Sequence, residues 1–246
     1  MQTPNLEYLN APLPTWVAIL FVACTALAAV LLGKAIGGTG NGLSRYWLLT
    51  GLWLAVSAAL GLTGFYQSSL DVLPPRLLVA GILPPALVIT SLLLAPAGRR
   101  WMARLPLADL VAISVVRVPV EVGLYGLAMN RLVPELMTFA GRNFDILAGL
   151  TALLIVGLLR THRISRGWLM VWHVAALMLL NNIVVLALLA APTPAQQLAF
   201  EQPNVAVLRF PYVWLPAFIV PVVLFSHVAS LYKLLRRRSV LNPELP

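Results

Sequence analysis

The sequence predicts an all-α, polytopic membrane protein with seven transmembrane helices, an outside N-terminus and a cytoplasmic C-terminus. Three observations predict it. Of the 246 residues, 60% are hydrophobic and only 10% charged, too few polar groups to coat a soluble domain of that length. Seven stretches, 15–33, 46–66, 76–95, 107–129, 144–160, 168–190 and 211–234, are apolar and near the roughly 20 residues that a spanning helix needs. The basic residues are shared unequally between alternate loops. Lys34, Arg45, Arg99, Arg100, Arg104, Arg160, Arg163, Arg166, Lys233, Arg236, Arg237 and Arg238 fall on one side, whereas only Arg76, Arg131, Arg142 and Arg209 fall on the other. The positive-inside rule makes the richer side cytoplasmic. That asymmetry accounts for the formal charge of +9, so the expected partner is the lipid bilayer and not nucleic acid.

The first span follows fourteen residues with Glu7 and no Lys or Arg. A signal peptide has a positive leading region, so this span is expected to be retained. Its Cys24 is the only cysteine and supports neither a disulfide nor a zinc site. Trp16, Tyr46, Trp47, Trp101, Trp168, Tyr212, Trp214 and Tyr232 lie near span ends, where amphipathic rings settle at headgroup level. The third span opens as "RLLVAGILPP" from Arg76, and the seventh follows "RFPYVWLP" from Arg209. Both combine an outer arginine with a proline break, although proline alone sets no fold in membrane helices.

The fourth span carries "RVPVE", which places Arg117 near the bilayer centre and Glu121 one turn further out. At i and i+4 they share a face and lie within ion-pair reach. Pro119 between them frees a carbonyl as an extra acceptor. Charges at that depth are costly unless paired or hydrated, and they mark candidate pathways. The fifth and shortest span begins at "GRNFD", with Asn143 as N-cap and Asp145 in the first turn, where a carboxylate suits the helix dipole. Arg142 is the wrong sign for that end and calls for a carboxylate partner, with Glu121, Asp145 and Glu135 as candidates. The sixth span contributes Asn181 and Asn182 at mid-membrane; they point about 100° apart, so at least one of them is expected to face the Arg117 region or a water-filled cavity. His173 and His227 sit at one depth near the cytoplasmic ends of the sixth and seventh spans, where two imidazoles offer haem or a metal a pair of ligands. In the seventh span Pro211, Pro216 and Pro221 recur every five residues and are expected to kink it.

No linker divides the chain, whose longest connection, 191–210, contains Pro192, Pro194 and Pro203. Residues 1–246 are read as one domain. The segments "RVPVEVGLYGL", "PELMTFAGRNFDIL" and "FPYVWLPAFIVPVVLFSH" resemble a group of bacterial seven-helix membrane proteins that carry no assigned activity. The resemblance covers the fourth to seventh helices. It implies a multi-pass protein of the bacterial inner (plasma) membrane and brings no mechanism. A retinal lysine inside the seventh helix and the "HExxH" and "GxSxG" motifs are all missing from the sequence.

The expected function is binding or transport of a small polar or ionic solute through a site of Arg117, Glu121, Arg142, Asp145, Asn181 and Asn182, between the fourth to seventh helices. A non-catalytic sensor, or an accessory subunit of a larger membrane complex or homo-oligomer, is the alternative. A haem- or metal-binding protein using His173 and His227 ranks third; no cofactor is predicted.

Overall fold

Prolines and glycines set where each helix starts, stops or breaks. The computed structural model describes residues 3–40, 42–68 and 70–240, with side chains as far as Arg236; the side chains of Arg237 and Arg238, counted above among the basic residues, lie outside the described residues. All regular structure among the described residues is helical. Helix α1 (Thr15–Gly37) begins after Pro14, and α2 (Leu43–Leu62) begins after the left-handed Gly42 at φ 90°. Helix α3 (Leu83–Leu94) is entered through a wide π turn, Leu78–Ile82, and is followed at Pro96 by the short α4 (Pro96–Met102), bent 94° away. Helix α5 (Leu107–Ala112) and helix α6 (Arg117–Met129) are nearly continuous, joined by a tighter 3-10 turn at Ile113–Val116. The cause is Pro119, which has no N–H for Val115 and whose ring crowds that carbonyl. Helices α7 (Asp145–Arg160) and α8 (Arg166–Leu189) follow; Ser165 caps α8 by accepting from the Trp168 N–H. Helix α9 (Val220–Val240) is entered through a second π turn, Leu215–Ile219.

Four helices, Thr15–Gly37, Leu43–Leu62, Arg166–Leu189 and Leu215–Arg236, are long and apolar enough to cross a membrane. A fifth is added if the bent pair α3–α4 forms one span.

The two π turns share a register. Each begins four residues after a proline, at Pro74 and Pro211, and each ends two residues before another, at Pro84 and Pro221. Pro221 has no N–H to offer the Ala217 carbonyl, and the indole of Trp53 in α2 donates to it instead at 2.9 Å. Trp214 returns the contact by donating to the Leu54 carbonyl at 3.0 Å. A local irregularity caused by proline therefore becomes the docking point of α2.

Helix α9 runs through the middle of the bundle and α2 lies on its edge. Small residues allow the closest approaches elsewhere. A Cβ on Gly123 would sit 2.6 Å from the Phe21 ring of α1, and one on Gly149 would sit 3.0 Å from the Val118 backbone nitrogen and 3.2 Å from Arg117 Cβ. Helix α7 thus packs backbone to backbone on α6, as small residues permit in membrane bundles.

One end of the bundle is closed by irregular chain. The Asn5 N–H donates to Phe200, Arg131 donates to the Tyr8 hydroxyl, Arg209 donates to the Ala11 carbonyl, and Gln202 donates to the carbonyls of Ala128 and Val133.

Candidate functional site

Ser114, Arg117 and Glu121 follow one another at intervals of three and four residues. They therefore stack on one face of the α5–α6 helix, over roughly 10 Å of rise. All three are buried, at 0%, 2% and 1% exposure. Each meets partners on a different helix, so the site is a ladder of three polar rungs.

The upper rung belongs to Glu121. Asn143, buried just before α7, donates a short hydrogen bond from Nδ2 to Glu121 Oε1 and shares the same amide with the Met137 carbonyl at 3.0 Å. Its Oδ1 accepts the Asp145 N–H at 3.0 Å. Helix α7 starts at Asp145, with Phe144 in the cap position, so Asn143 orders the turn before the helix and presents its amide to the carboxylate.

The middle rung belongs to Arg117. Both of its terminal nitrogens donate to the Ala176 carbonyl of α8, at 3.1 and 3.2 Å. Asp145 Oδ1 lies 3.2 Å from Nη1, an ion pair by distance but off the line of a hydrogen bond. The partner of Arg117 is therefore Asp145 and not Glu121. The close packing at Gly149, one turn after Asp145, makes this reach short.

The lower rung joins Ser114, His173 and His227. The Nδ1 atoms of the two imidazoles lie 2.8 Å apart, and His227 Nε2 is 3.3 Å from Ser114 Oγ. Trp172 packs against both rings, at 5.0 and 5.5 Å between centroids. Two nitrogens this close hydrogen-bond to one another. In this arrangement the two rings are turned on one another, and His173 Nε2 is left without a partner among the described residues. Among the described residues no cluster of three or more His, Cys, Asp or Glu could hold a metal ion.

Glu121 Oε2, Arg117 Nε and His173 Nε2 are buried and have no hydrogen-bond partner among the described residues. The rungs therefore hold unused donor and acceptor capacity along their length. An orphaned buried polar atom is costly; Arg117 Nε can only donate, whereas Glu121 Oε2 has free acceptor capacity.

Of the residues singled out from sequence, Arg117, Glu121 and Asp145 meet in the ladder, and His173 and His227 form its lowest rung. Arg142 does not join them. It is exposed, and its carbonyl accepts from Asn182 Nδ2 at 2.9 Å. Asn181 is exposed, and both asparagines line an outward-facing groove with Val174, Leu177, Met178 and Val185. The inward face of α8 is instead Leu169, His173, Ala176, Leu180 and Ile183, from which positions 181 and 182 are rotated away. Ser114 is a further member of the site, and its spacing to Arg117 and Glu121 is the sequence signal for it. Asn143, an N-cap candidate by sequence, also holds Glu121.

The family model of a domain of unknown function, DUF8737, matches residues 74–235, well over half of the chain. The chain belongs to the DUF8737 family. No curated protein and no solved structure matches it. The DUF8737 span begins at Pro74, just before the first π turn, and takes in every residue of the ladder. Helices α1 and α2 precede it.

Proposed function

We propose that this DUF8737 protein is a seven-span protein of the bacterial inner membrane that binds and moves a small ion through the Glu121–Arg117–His173 ladder, and that the ion is the proton. The N-terminus lies outside and the C-terminus in the cytoplasm, in keeping with the lysine and arginine count. The three spans beyond the four longest helices are the α3 segment with its π turn, the α5–α6 helix and α7. Their irregular neighbours are tolerable at membrane depth because they are buried in protein and not in lipid; Leu132, Met137, Thr138 and Asn143 are all within 1% of complete burial.

The observation that carries the proposal is the charge balance. Arg117 faces two carboxylates, Glu121 and Asp145, with the paired imidazoles of His173 and His227 below. One buried cation against two buried anions leaves a net negative charge, which is costly in a low dielectric. The cluster is electroneutral when it holds one further positive charge. A hard divalent cation such as calcium or magnesium takes about six oxygen ligands, more than the four oxygens of the two carboxylates, whereas a proton needs one lone pair, such as that of Glu121 Oε2. The paired imidazoles continue the track, since a proton received at one ring nitrogen can be released from the other.

The test is reconstitution into liposomes with a pH-sensitive dye inside and an imposed pH gradient. The intact protein is expected to collapse the gradient, and Glu121→Gln, which keeps a carbonyl acceptor for Asn143, is expected to fold and to lower the flux roughly 100-fold or more, the size expected for a positioned proton-transfer group. Equal flux in both proteins overturns the proton assignment and moves the sensor or accessory-subunit alternative to the front.

A further inference from the structure

A second site lies on the far side of α9 from the ladder. Helices α1, α2, α3 and α9 enclose an elongated groove of about 650 Å³, whose walls include Leu49, Trp53, Val88, Ile89, Val222 and Phe225. That volume is within the range of roughly 300–1,000 Å³ typical of small-molecule sites, and the lining is almost wholly apolar. Pro84 and Pro85 at the start of α3 also line it. At one end Trp101, stacked on Phe225 with centroids 5.9 Å apart, and Arg45 mark a change of character. There the groove adjoins a second depression of about 620 Å³, lined by Gly40, Gly42, Leu43, Ser44, Arg45 and Trp101 and more polar than the groove itself.

The guanidinium of Arg45 is exposed and has no carboxylate partner among the described residues. Tyr46, its neighbour, is already committed to the Ala29 carbonyl at 2.7 Å and does not compete for a ligand. No side chain caps the start of α2, so the free N–H groups of its first turn add to the positive potential there. An apolar channel that opens beside a free cation and a tryptophan is complementary to one kind of molecule: a long hydrocarbon chain ending in an anion at headgroup level.

We infer that this groove binds an anionic phospholipid of the inner leaflet, with an acyl chain lying between α2 and α3 and the headgroup phosphate on Arg45 and Ser44. The inference rests on the membrane assignment above but shares no residue with the ladder. Basic pockets between helices on the cytoplasmic side are where anionic headgroups are recognised. Trp101 places the depression at headgroup depth.

The test is native mass spectrometry of the intact purified chain titrated separately with phosphatidylglycerol, with phosphatidylcholine of identical acyl chains, and with glycerol phosphate. One phosphatidylglycerol per chain is expected to be retained, with roughly fivefold preference over phosphatidylcholine, the size expected for one basic residue at an anionic surface. Arg45→Ala is expected to remove the preference and Arg45→Lys to keep it. Val88→Trp, which fills the channel, is expected to remove retention of both lipids. A variant that does not fold is replaced by a second measurement on the wild-type chain: phosphatidylglycerol brominated on its acyl chain should quench tryptophan fluorescence at lower concentration than phosphatidylcholine carrying the same brominated chain. Equal retention of both lipids, an unaltered preference in Arg45→Ala, or glycerol phosphate binding as tightly as the lipid each overturns the inference. Because these readouts involve neither Glu121 nor proton flux, a failed flux experiment leaves them unaffected.

Discussion

Helices α2 and α9 are both apolar enough to span a bilayer, yet they occupy opposite places in the bundle. Helix α2 buries only Thr50, Ser57 and Gly61 and exposes Leu48 and Leu62 to 71% and 70%. Helix α9 runs through the centre and buries Ser226, His227 and Ser230 together with its apolar side chains. The contrast teaches that in helices apolar enough to face lipid the leucines do not mark the inside. Lipid tails are as apolar as leucine, so inward faces are marked by small and polar residues that need protein partners. Even on peripheral α2 the buried positions are a threonine, a serine and a glycine.

The largest effect that would sharpen this comparison is at the central charge. Arg117→Met leaves Asp145 and Glu121 buried without a cation and is expected to cost about 3–5 kcal/mol, read as loss of folded protein in a detergent thermal melt. Adding Asp145→Leu removes the carboxylate nearest to it and should recover most of the loss. Arg45→Met on α2, an exposed charge of the same type, should stay within about 0.5 kcal/mol of wild type. If the two single substitutions cost the same, the division into centre and edge is wrong.

Glycines give the next contrast. A Cβ at Gly149 would press on the Val118 backbone, whereas one at Gly51 of α2 would meet no heavy atom within 4 Å. Gly149→Ala is expected to lose about 1–3 kcal/mol through overpacking and to shift Arg117 away from Asp145. Gly51→Ala should be neutral or gain up to about 1 kcal/mol from helix propensity. The same melts check both, and a stabilising Gly149→Ala would contradict the close packing of α7 on α6.

The smallest expected effect is at the junction of the two helices. Trp53→Phe removes the indole donor to Ala217, and interhelical hydrogen bonds in membranes are worth about 0.6 to 2 kcal/mol. A loss in that range, accompanied by faster proteolysis of the 38–42 connection, would show that the bond holds α2 against the bundle. No change in either readout would assign the docking of α2 to apolar packing alone.

Much of the helical layout was legible in the sequence. The α5–α6 segment lies at 107–129 as its apolar run indicates, and α7 begins within a residue of the expected start. The breaks were less legible: prolines announce an irregularity but not whether the chain tightens, as at 113–116, or widens, as at 215–219. In the candidate site, the i and i+4 spacing correctly put Arg117 and Glu121 on one face. It could not say that the ion pair would go to Asp145, because that depends on how closely α7 approaches at Gly149. Asn181 and Asn182 show the remaining difficulty. Their depth could be read by counting, but the rotation of α8 follows from its inward stripe through His173 and Ala176, and 100° per residue turns a neighbour of the core toward the outside.

The central claim is that the Arg117 cluster holds one exchangeable proton on its carboxylates. Infrared difference spectroscopy of the protein in membranes tests it most directly, by following the C=O stretch of a protonated carboxyl group on exchange into deuterated water. One such band is expected that shifts with deuterium, and that disappears in Glu121→Gln while the protein remains folded. A wild-type spectrum without that band, or a band that persists unchanged in both Glu121→Gln and Asp145→Asn, would contradict it.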